Sequence, residues 1–304
     1  METKRAQVGE IELAYETFGS PADPPLVLVM GLATQMVAWP VPFCEALAAA
    51  GHYVVRFDNR DIGLSTHLTG ILAPSPLRAG LRLARAPYSI ADMARDTVGL
   101  FDVLGLAAVD LVGVSMGGYI AQTVALQSPS RVRTLTLMMT STGSRRAGRT
   151  RLRALAQLRS ARQPARPGRE GAQDVAVAIY TVLWGRGYPL DEDFVREVAG
   201  QCYDRGLDFD GDSRQLAACL TQPDRTRALR TLTVPTLVVH GLDDPLISAT
   251  GGLALARAIP NARLVAYHGL GHSLPRALWP DIAGEIVAHT RVSAAPGEGR
   301  RSAG

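Results

Sequence analysis

Short apolar runs alternate with longer segments of helical periodicity through the first half of the chain. The runs are mostly four to six residues long and rich in valine and leucine, a pattern typical of strands buried on both faces of a parallel sheet. The predicted strands are residues 6–10, 11–18, 26–30, 53–57, 109–114 and 132–139. The first two predict a hairpin. The predicted helices are residues 42–50, 90–104 and 116–127.

The alternation stops after Thr140 and resumes at Thr236. Between them the pattern predicts only helices, which are residues 149–162, 172–185, 191–205 and 211–221. Beyond them we predict strands 236–240 and 263–267 and helices 250–258 and 278–290. The whole pattern indicates an α/β fold with a mostly parallel central sheet, flanking helices and a helical cap inserted between core strands. The predicted domains are a core of residues 1–143 and 232–291, a cap of residues 144–231, and a disordered tail of residues 292–304.

Composition narrows the class of protein. A chain of 304 residues that is 47% hydrophobic can bury a substantial core. It contains no uncharged apolar stretch of about 18 residues, and its polar N-terminus is unlike a secretory signal. Three widely spaced cysteines indicate neither a disulfide framework nor a zinc site. We therefore expect a cytoplasmic protein with reduced thiols.

Charge is concentrated in one segment. The net charge is +4, yet residues 145–169 hold nine arginines and no acid. Such a run can bind nucleic acid or an anionic membrane, but it lacks aromatic residues for base stacking. We interpret it as a solvated helix face, and we expect neither nucleic acid nor membrane as a partner. The sequence does not predict the oligomeric state.

Ser115 lies at the centre of the string Gly113-Val114-Ser115-Met116-Gly117. The string follows a predicted strand and opens a predicted helix, as in the turn that lifts a nucleophilic serine clear of a sheet. Small residues at 113 and 117 let such a turn pass close to its neighbours. The alternative is that Ser115 only caps the helix.

A serine nucleophile needs a base, and His272 is the candidate. It follows the strand 263–267 and therefore lies at the carboxyl edge of the sheet, as Ser115 does, where ligands gather in open α/β sheets. His268 lies nearer the strand end and His240 ends another strand, and both are interpreted as structural.

The base in turn needs an acid, and Asp243 and Asp244 follow the strand 236–240. Adjacent residues in a turn point in different directions, so only one of them can reach His272. Pro245 restricts Asp244 to an extended conformation, but spacing alone leaves the choice open. With either aspartate the order along the chain is serine, aspartate, histidine, which is the order of the α/β-hydrolase scaffold.

The developing oxyanion needs two N–H donors. One is expected from Met116, the residue after the nucleophile. The other is expected from the loop after strand 26–30, where Gly31 permits a sharp turn and Leu32 supplies the N–H. Gln35 and Trp39 are close enough to line the pocket, although a packing role is equally consistent with the sequence.

These motifs together resemble the α/β-hydrolase superfamily over residues 8 to 290. The matching segments are Asp58 to Ser65, Gly113 to Gly118, His240 to Pro245 and Gly269 to His272. In the family's Gly-x-x-Asp-Pro pattern the acid falls on the second aspartate, so the resemblance implies Asp244. Asp58 and Arg60 are interpreted as structural residues that brace their loop.

Two positions at which this sequence departs from the usual superfamily pattern point to one group within the superfamily. Met30-Gly31 stands where His-Gly is usual, and Asp61 stands where the loop usually has glycine. With Trp39-Pro40, these features are similar to the aclacinomycin methylesterases, which remove a methyl ester from an anthracycline polyketide. The cap and residues 67–87 resemble that group less, so the identity of the substrate is not implied.

The predicted function is hydrolysis of a small-molecule carboxylic ester through an acyl-enzyme, with catalytic residues Ser115, Asp244 and His272 and oxyanion donors Leu32 and Met116. Neither a metal nor an organic cofactor is expected. The same scaffold also supports amide or peptide hydrolysis of the iminopeptidase kind, haloperoxidase or perhydrolase chemistry, and C–C bond hydrolysis. The alternative from another class is a small-molecule binding protein on this scaffold.

Overall fold

A computed structural model describes residues 2–161 and 166–292, and it contains one eight-stranded sheet. Its strands coincide with the predicted apolar runs to within two residues at each end. They are β1 (Lys4–Val8), β2 (Ile11–Phe18), β3 (Pro25–Val29), β4 (Tyr53–Phe57), β5 (Val109–Val114), β6 (Val132–Met138), β7 (Thr236–Gly241) and β8 (Arg263–Tyr267).

The helices lie between the strands in the predicted order. They are α1 (Val41–Ala49), α2 (Pro76–Gly80), α3 (Ile90–Val103), α4 (Met116–Gln127), α5 (Leu152–Ala161), α6 (Gly168–Leu183), α7 (Glu192–Arg205), α8 (Phe209–Thr221), α9 (Thr226–Leu229), α10 (Thr250–Ala258) and α11 (Trp279–Val292). The predicted disordered tail, residues 292–304, lies outside the described residues except for Val292, which ends α11. None of the described helices has the length and apolar character needed to cross a membrane.

The strand order is β1-β2-β4-β3-β5-β6-β7-β8. The predicted hairpin of β1 and β2 is antiparallel and pairs with β4 at one side. From β4 to β8 every neighbouring pair is parallel. The carboxyl ends of these six strands therefore meet at one edge, which is where the candidate catalytic residues of the sequence fall.

Two hydrophobic clusters cover the two faces of the sheet. Val27 and Val29 of β3 belong to one cluster, with residues of α3, α4 and α10. Leu26 and Leu28 of the same strand belong to the other, with residues of α1 and α11. Successive side chains of a strand point to opposite faces, so a strand covered on both sides is apolar at most of its positions.

The helices inserted between β6 and β7 are α5 to α9. Helices α5 to α8 confirm the prediction of a helical insertion. The sequence pattern did not predict α9, or α2 between β4 and α3, because both helices are too short to show a helical period. Leu229, at the end of α9, packs in the same cluster as residues of the sheet. The limits of the cap at residues 144 and 231 therefore remain a prediction.

Candidate active site

Ser115 stands between β5 and α4 in a strained backbone conformation, with φ 54° and ψ −116°. Its N–H donates to the Met138 carbonyl at 2.9 Å, and its own carbonyl accepts the Thr140 hydroxyl at 2.8 Å. A non-glycine residue in such a conformation costs on the order of 1–3 kcal/mol and persists only where the surroundings hold it. The turn presents Ser115, partly exposed, at the carboxyl edge of the sheet.

Gly117 lets this turn pass against the neighbouring strand. A Cβ at this position would lie 2.2 Å from the Val29 carbonyl oxygen, closer than any real contact. We therefore expect Gly117→Ala to lower the free energy of unfolding by about 3 kcal/mol, because backbone on both sides must shift. Chemical denaturation followed by circular dichroism measures this loss.

Gly284, on the exposed face of α11, provides the control. A Cβ there meets nothing within 4 Å, so Gly284→Ala is expected to stabilise the protein by about 0.5–1 kcal/mol through helix propensity. Equal effects of the two substitutions would contradict the close approach at Gly117.

Asp244 and His272 meet at the same edge of the sheet. The Nδ1 atom of His272 lies 2.7 Å from Oδ2 of the fully buried Asp244. The other carboxylate oxygen accepts the N–H groups of Leu246 and Ile247, both at 2.8 Å. These bonds fix the carboxylate, which in turn directs the Nδ1 proton of His272 and leaves Nε2 free to act as a base.

The neighbouring candidates occupy other environments. Asp243 donates its backbone N–H to the Leu270 carbonyl at 2.9 Å, and the residue that binds His272 is Asp244. His268 is exposed. His240 is buried and bonds to the Ile247 carbonyl at 2.8 Å. Burial lowers the pKa of His240 despite the charge of the nearby Asp244, which favours a neutral, structural imidazole.

The predicted oxyanion loop, residues 31–35, passes beside the serine. A Cβ built on Gly31 would lie 3.2 Å from Cβ and 3.8 Å from Oγ of Ser115. Gly31 therefore lies against Ser115, and Leu32 is the next residue along the chain. Met116 follows Ser115 directly and begins α4. Trp39 is buried and stacked on Phe43 with ring centroids 5.8 Å apart, which is a packing role.

The loop that carries His272 is held by the carboxyl end of α6. The His272 N–H donates to the Leu183 carbonyl at 2.6 Å, and the Gly271 N–H donates to the Trp184 carbonyl at 3.0 Å. The Ser273 hydroxyl also donates to the Trp184 carbonyl, at 3.1 Å. Sequence reasoning missed these contacts, because backbone carbonyls leave no residue-type signal and the partners are about 90 positions apart.

Asp58 and Arg60 brace their loop, as predicted. Asp58 accepts the N–H groups of Met36 at 2.7 Å and Leu64 at 3.0 Å, and it pairs with Arg205 of α7. Burial raises the pKa of Asp58, an effect that these partners oppose. Arg60 forms a two-pronged pair with Asp96 of α3, with both distances 2.6 Å.

Asp61, His67 and Asp208 form the one group in the described part of the chain whose atoms are spaced for a metal, within 4.8 Å of one another. Arg214 already donates to both carboxylates, at 2.8 Å to Asp61 and 3.2 Å to Asp208. Burial opposes the charged form of His67, but hydrogen bonds to the Gly63 carbonyl and to Asp208 raise its pKa on balance. Because the negative charge is compensated, we interpret this group as an ion-pair network that joins the loop to α8.

Comparison with known proteins gives a family. The model of the alpha/beta hydrolase fold family matches residues 24–275. Rhodomycin D methylesterase DnrP of Streptomyces peucetius is 30% identical over 310 residues, covering 96% of this chain and 99% of the relative.

Solved structures agree with the fold. The enol-lactonase from Burkholderia xenovorans LB400 superposes with a TM-score of 0.71 at 23% identity, over 95% of this chain and 100% of the other. A thermophilic esterase from Thermogutta terrifontis superposes with a TM-score of 0.70 at 25% identity, over 97% of this chain and 100% of the other.

Proposed function

This chain belongs to the alpha/beta hydrolase family and is an ester hydrolase, and from that premise we propose that Ser115, His272 and Asp244 are its catalytic triad. The observation that carries the proposal is the 2.7 Å bond between Asp244 and His272 at the sheet edge that also presents Ser115. A buried carboxylate on Nδ1 stabilises the imidazolium that forms when Nε2 takes a proton.

Acylation begins when Nε2 of His272 removes the Ser115 hydroxyl proton and Oγ bonds to the ester carbonyl carbon. The carbonyl oxygen becomes an oxyanion, and the N–H groups of Leu32 and Met116 are the proposed donors to it. Losing one such donor costs about 3–4 kcal/mol of barrier in a comparable enzyme. Collapse of the intermediate breaks the bond to the alcohol oxygen, which receives the proton from His272.

Deacylation repeats these steps with water. His272 removes a proton from water while the water oxygen attacks the acyl carbon. It then gives the proton to Ser115 Oγ as the acid leaves. No step in this scheme calls for a metal or an organic cofactor. The helices of residues 144–231 are proposed to form the cap over this site. Among them, α6 holds the His272 loop through the carbonyls at its carboxyl end.

The proposed substrate is a methyl ester of a small molecule, in keeping with the methylesterase to which the chain is similar. Matched methyl, ethyl and isopropyl esters of one acid, with the corresponding amide, test this choice. We expect kcat/KM, measured as released acid, to be highest for the methyl ester and at least tenfold lower for the amide, because an amine is a poorer leaving group than an alcohol.

Two outcomes of the substrate panel would contradict the proposal. Faster hydrolysis of the amide than of every ester would assign the triad to amide chemistry. Turnover of the isopropyl ester at or above the rate of the methyl ester would support ester hydrolysis but contradict the proposed preference for methyl esters.

A further inference from the structure

Gln215 lies in the middle of α8 and is fully buried. Its amide oxygen accepts the backbone N–H of Ala33 at 2.9 Å. Its amide nitrogen donates to the Arg60 carbonyl at 2.8 Å. One side chain of an inserted helix thus bridges two loops at the carboxyl edge of the sheet.

Ala33 directly follows Leu32, the proposed oxyanion donor, and it has a φ of 54°. L-residues other than asparagine and aspartate rarely adopt this left-handed conformation. A strained turn of this kind needs an external partner to persist, and the Gln215 amide oxygen, which accepts the Ala33 N–H, is such a partner. The direction of the Leu32 N–H depends on the backbone angles on either side of it, so it depends on this turn.

The far end of the same loop is held by α7. The Gln35 side chain donates to the carbonyls of Cys202 at 2.9 Å and Gly206 at 2.8 Å, and it accepts from Arg205 at 2.9 Å. The loop from Gly31 to Gln35 is therefore held at its middle residue and at its far end by the inserted helices α8 and α7.

The docking of α8 itself rests on a different residue. Arg214 pairs with both oxygens of buried Asp61, at 2.8 and 2.9 Å, and donates to the Ile71 carbonyl at 2.9 Å. Arg214 thus supplies an anchor of α8 that is separate from the two hydrogen bonds of Gln215.

We propose that Gln215 is a positioning residue of the oxyanion hole. This proposal rests on the proposed function of Ser115 and Leu32. Through Ala33, Gln215 sets the direction of the Leu32 N–H, so α8 influences the rate of the chemical step. Ala33 and Gln215 are 182 residues apart in the sequence, so no local motif predicts this role.

Gln215→Met tests the proposal, since methionine keeps the length of the side chain and removes both strong hydrogen bonds. We expect kcat for an ester substrate to fall on the order of 10- to 100-fold with KM changed less than twofold, because a misdirected donor is lost mainly in the transition state. Affinity for a trifluoromethyl ketone, whose adduct carries an oxyanion, should fall by the same factor as kcat/KM.

Two further variants separate positioning from stability. Gln173→Met removes a hydrogen bond from Gln173 to the Arg196 carbonyl, which lies within the inserted helices, and we expect kcat within twofold of the parent. If Gln215→Met does not fold, Gln215→Asn, which is too short to bridge both loops, takes its place with the same expectation.

Unchanged kcat and ketone affinity in Gln215→Met would overturn the inference, as would an equal loss in Gln173→Met. Each of these results requires a parent enzyme that hydrolyses esters. A parent without turnover of any ester would instead reject the proposed function, so the two failures are distinguishable.

Discussion

Replacing Ser115 with alanine is expected to lower kcat for ester hydrolysis by about 10⁶-fold, the loss seen when the nucleophile of such a triad is removed. Without Oγ no acyl-enzyme forms, and the oxyanion donors and substrate binding alone retain only part of the acceleration. The backbone bonds of the turn, from the Ser115 N–H to Met138 and from Thr140 to the Ser115 carbonyl, do not involve the side chain. Circular dichroism and thermal unfolding should therefore match the parent while steady-state kinetics show the loss.

Ser141→Ala provides the matched control. Ser141 lies near the same edge of the sheet but is buried, and its hydroxyl lies 3.0 Å from the Tyr119 hydroxyl. Because it takes no part in the proposed chemistry, we expect kcat within a few-fold of the parent. Comparable losses in both variants, or turnover in Ser115→Ala near the parental rate, would remove Ser115 from the mechanism.

Asp244→Asn is expected to lower kcat by about 10⁴-fold, as the same change does in a related triad on another fold. Its Oδ1 position can still accept the N–H groups of Leu246 and Ile247, so the loop should keep its shape. The amide NH₂ then faces Nδ1 of His272 and favours the tautomer with the proton on Nε2. A histidine in that tautomer cannot take the Ser115 proton.

Asp243→Asn is the control for this substitution, since it makes the same chemical change one residue earlier. Asp243 binds the neighbouring loop through its backbone N–H, and we expect its variant to retain kcat within a few-fold. A large loss in Asp243→Asn together with a small loss in Asp244→Asn would transfer the acid to Asp243.

The sheet was predictable because its strands are covered on both faces. Such strands are apolar at most positions, and this leaves an apolar run in β3 and mostly apolar runs in β5 and β7. The turn at Ser115 was predictable because Gly113 and Gly117 are demanded by close backbone contacts and so are visible as residue types. The short helices α2 and α9 leave no periodic signal, which is why they were missed.

The choice between Asp243 and Asp244 shows where local reasoning ends. The sequence placed both after the same strand, and only the resemblance favoured the second. The structure distinguishes them through the 2.7 Å bond to His272, a contact between residues 28 positions apart. Spacing along the chain holds no information about which of two adjacent side chains points toward another loop.

The contacts of the inserted helices were not predictable for the same reason. Arg214 and Gln215 stand in the sequence as two polar residues of a predicted helix, and only the structure shows that both are buried. Asp61, standing where the family has glycine, is the complementary signal, because a buried carboxylate requires a charged partner. Without the fold, neither signal identifies its partner.

Mass spectrometry of the parent protein after reaction with a fluorophosphonate ester tests the central claim most directly. The account predicts complete modification by one phosphonyl group, located by peptide fragmentation on Ser115, with esterase activity lost in parallel. Ser115→Ala should remain unmodified under the same conditions. An enzyme that hydrolyses esters yet carries the phosphonyl group on another residue, or remains unmodified, would contradict the account.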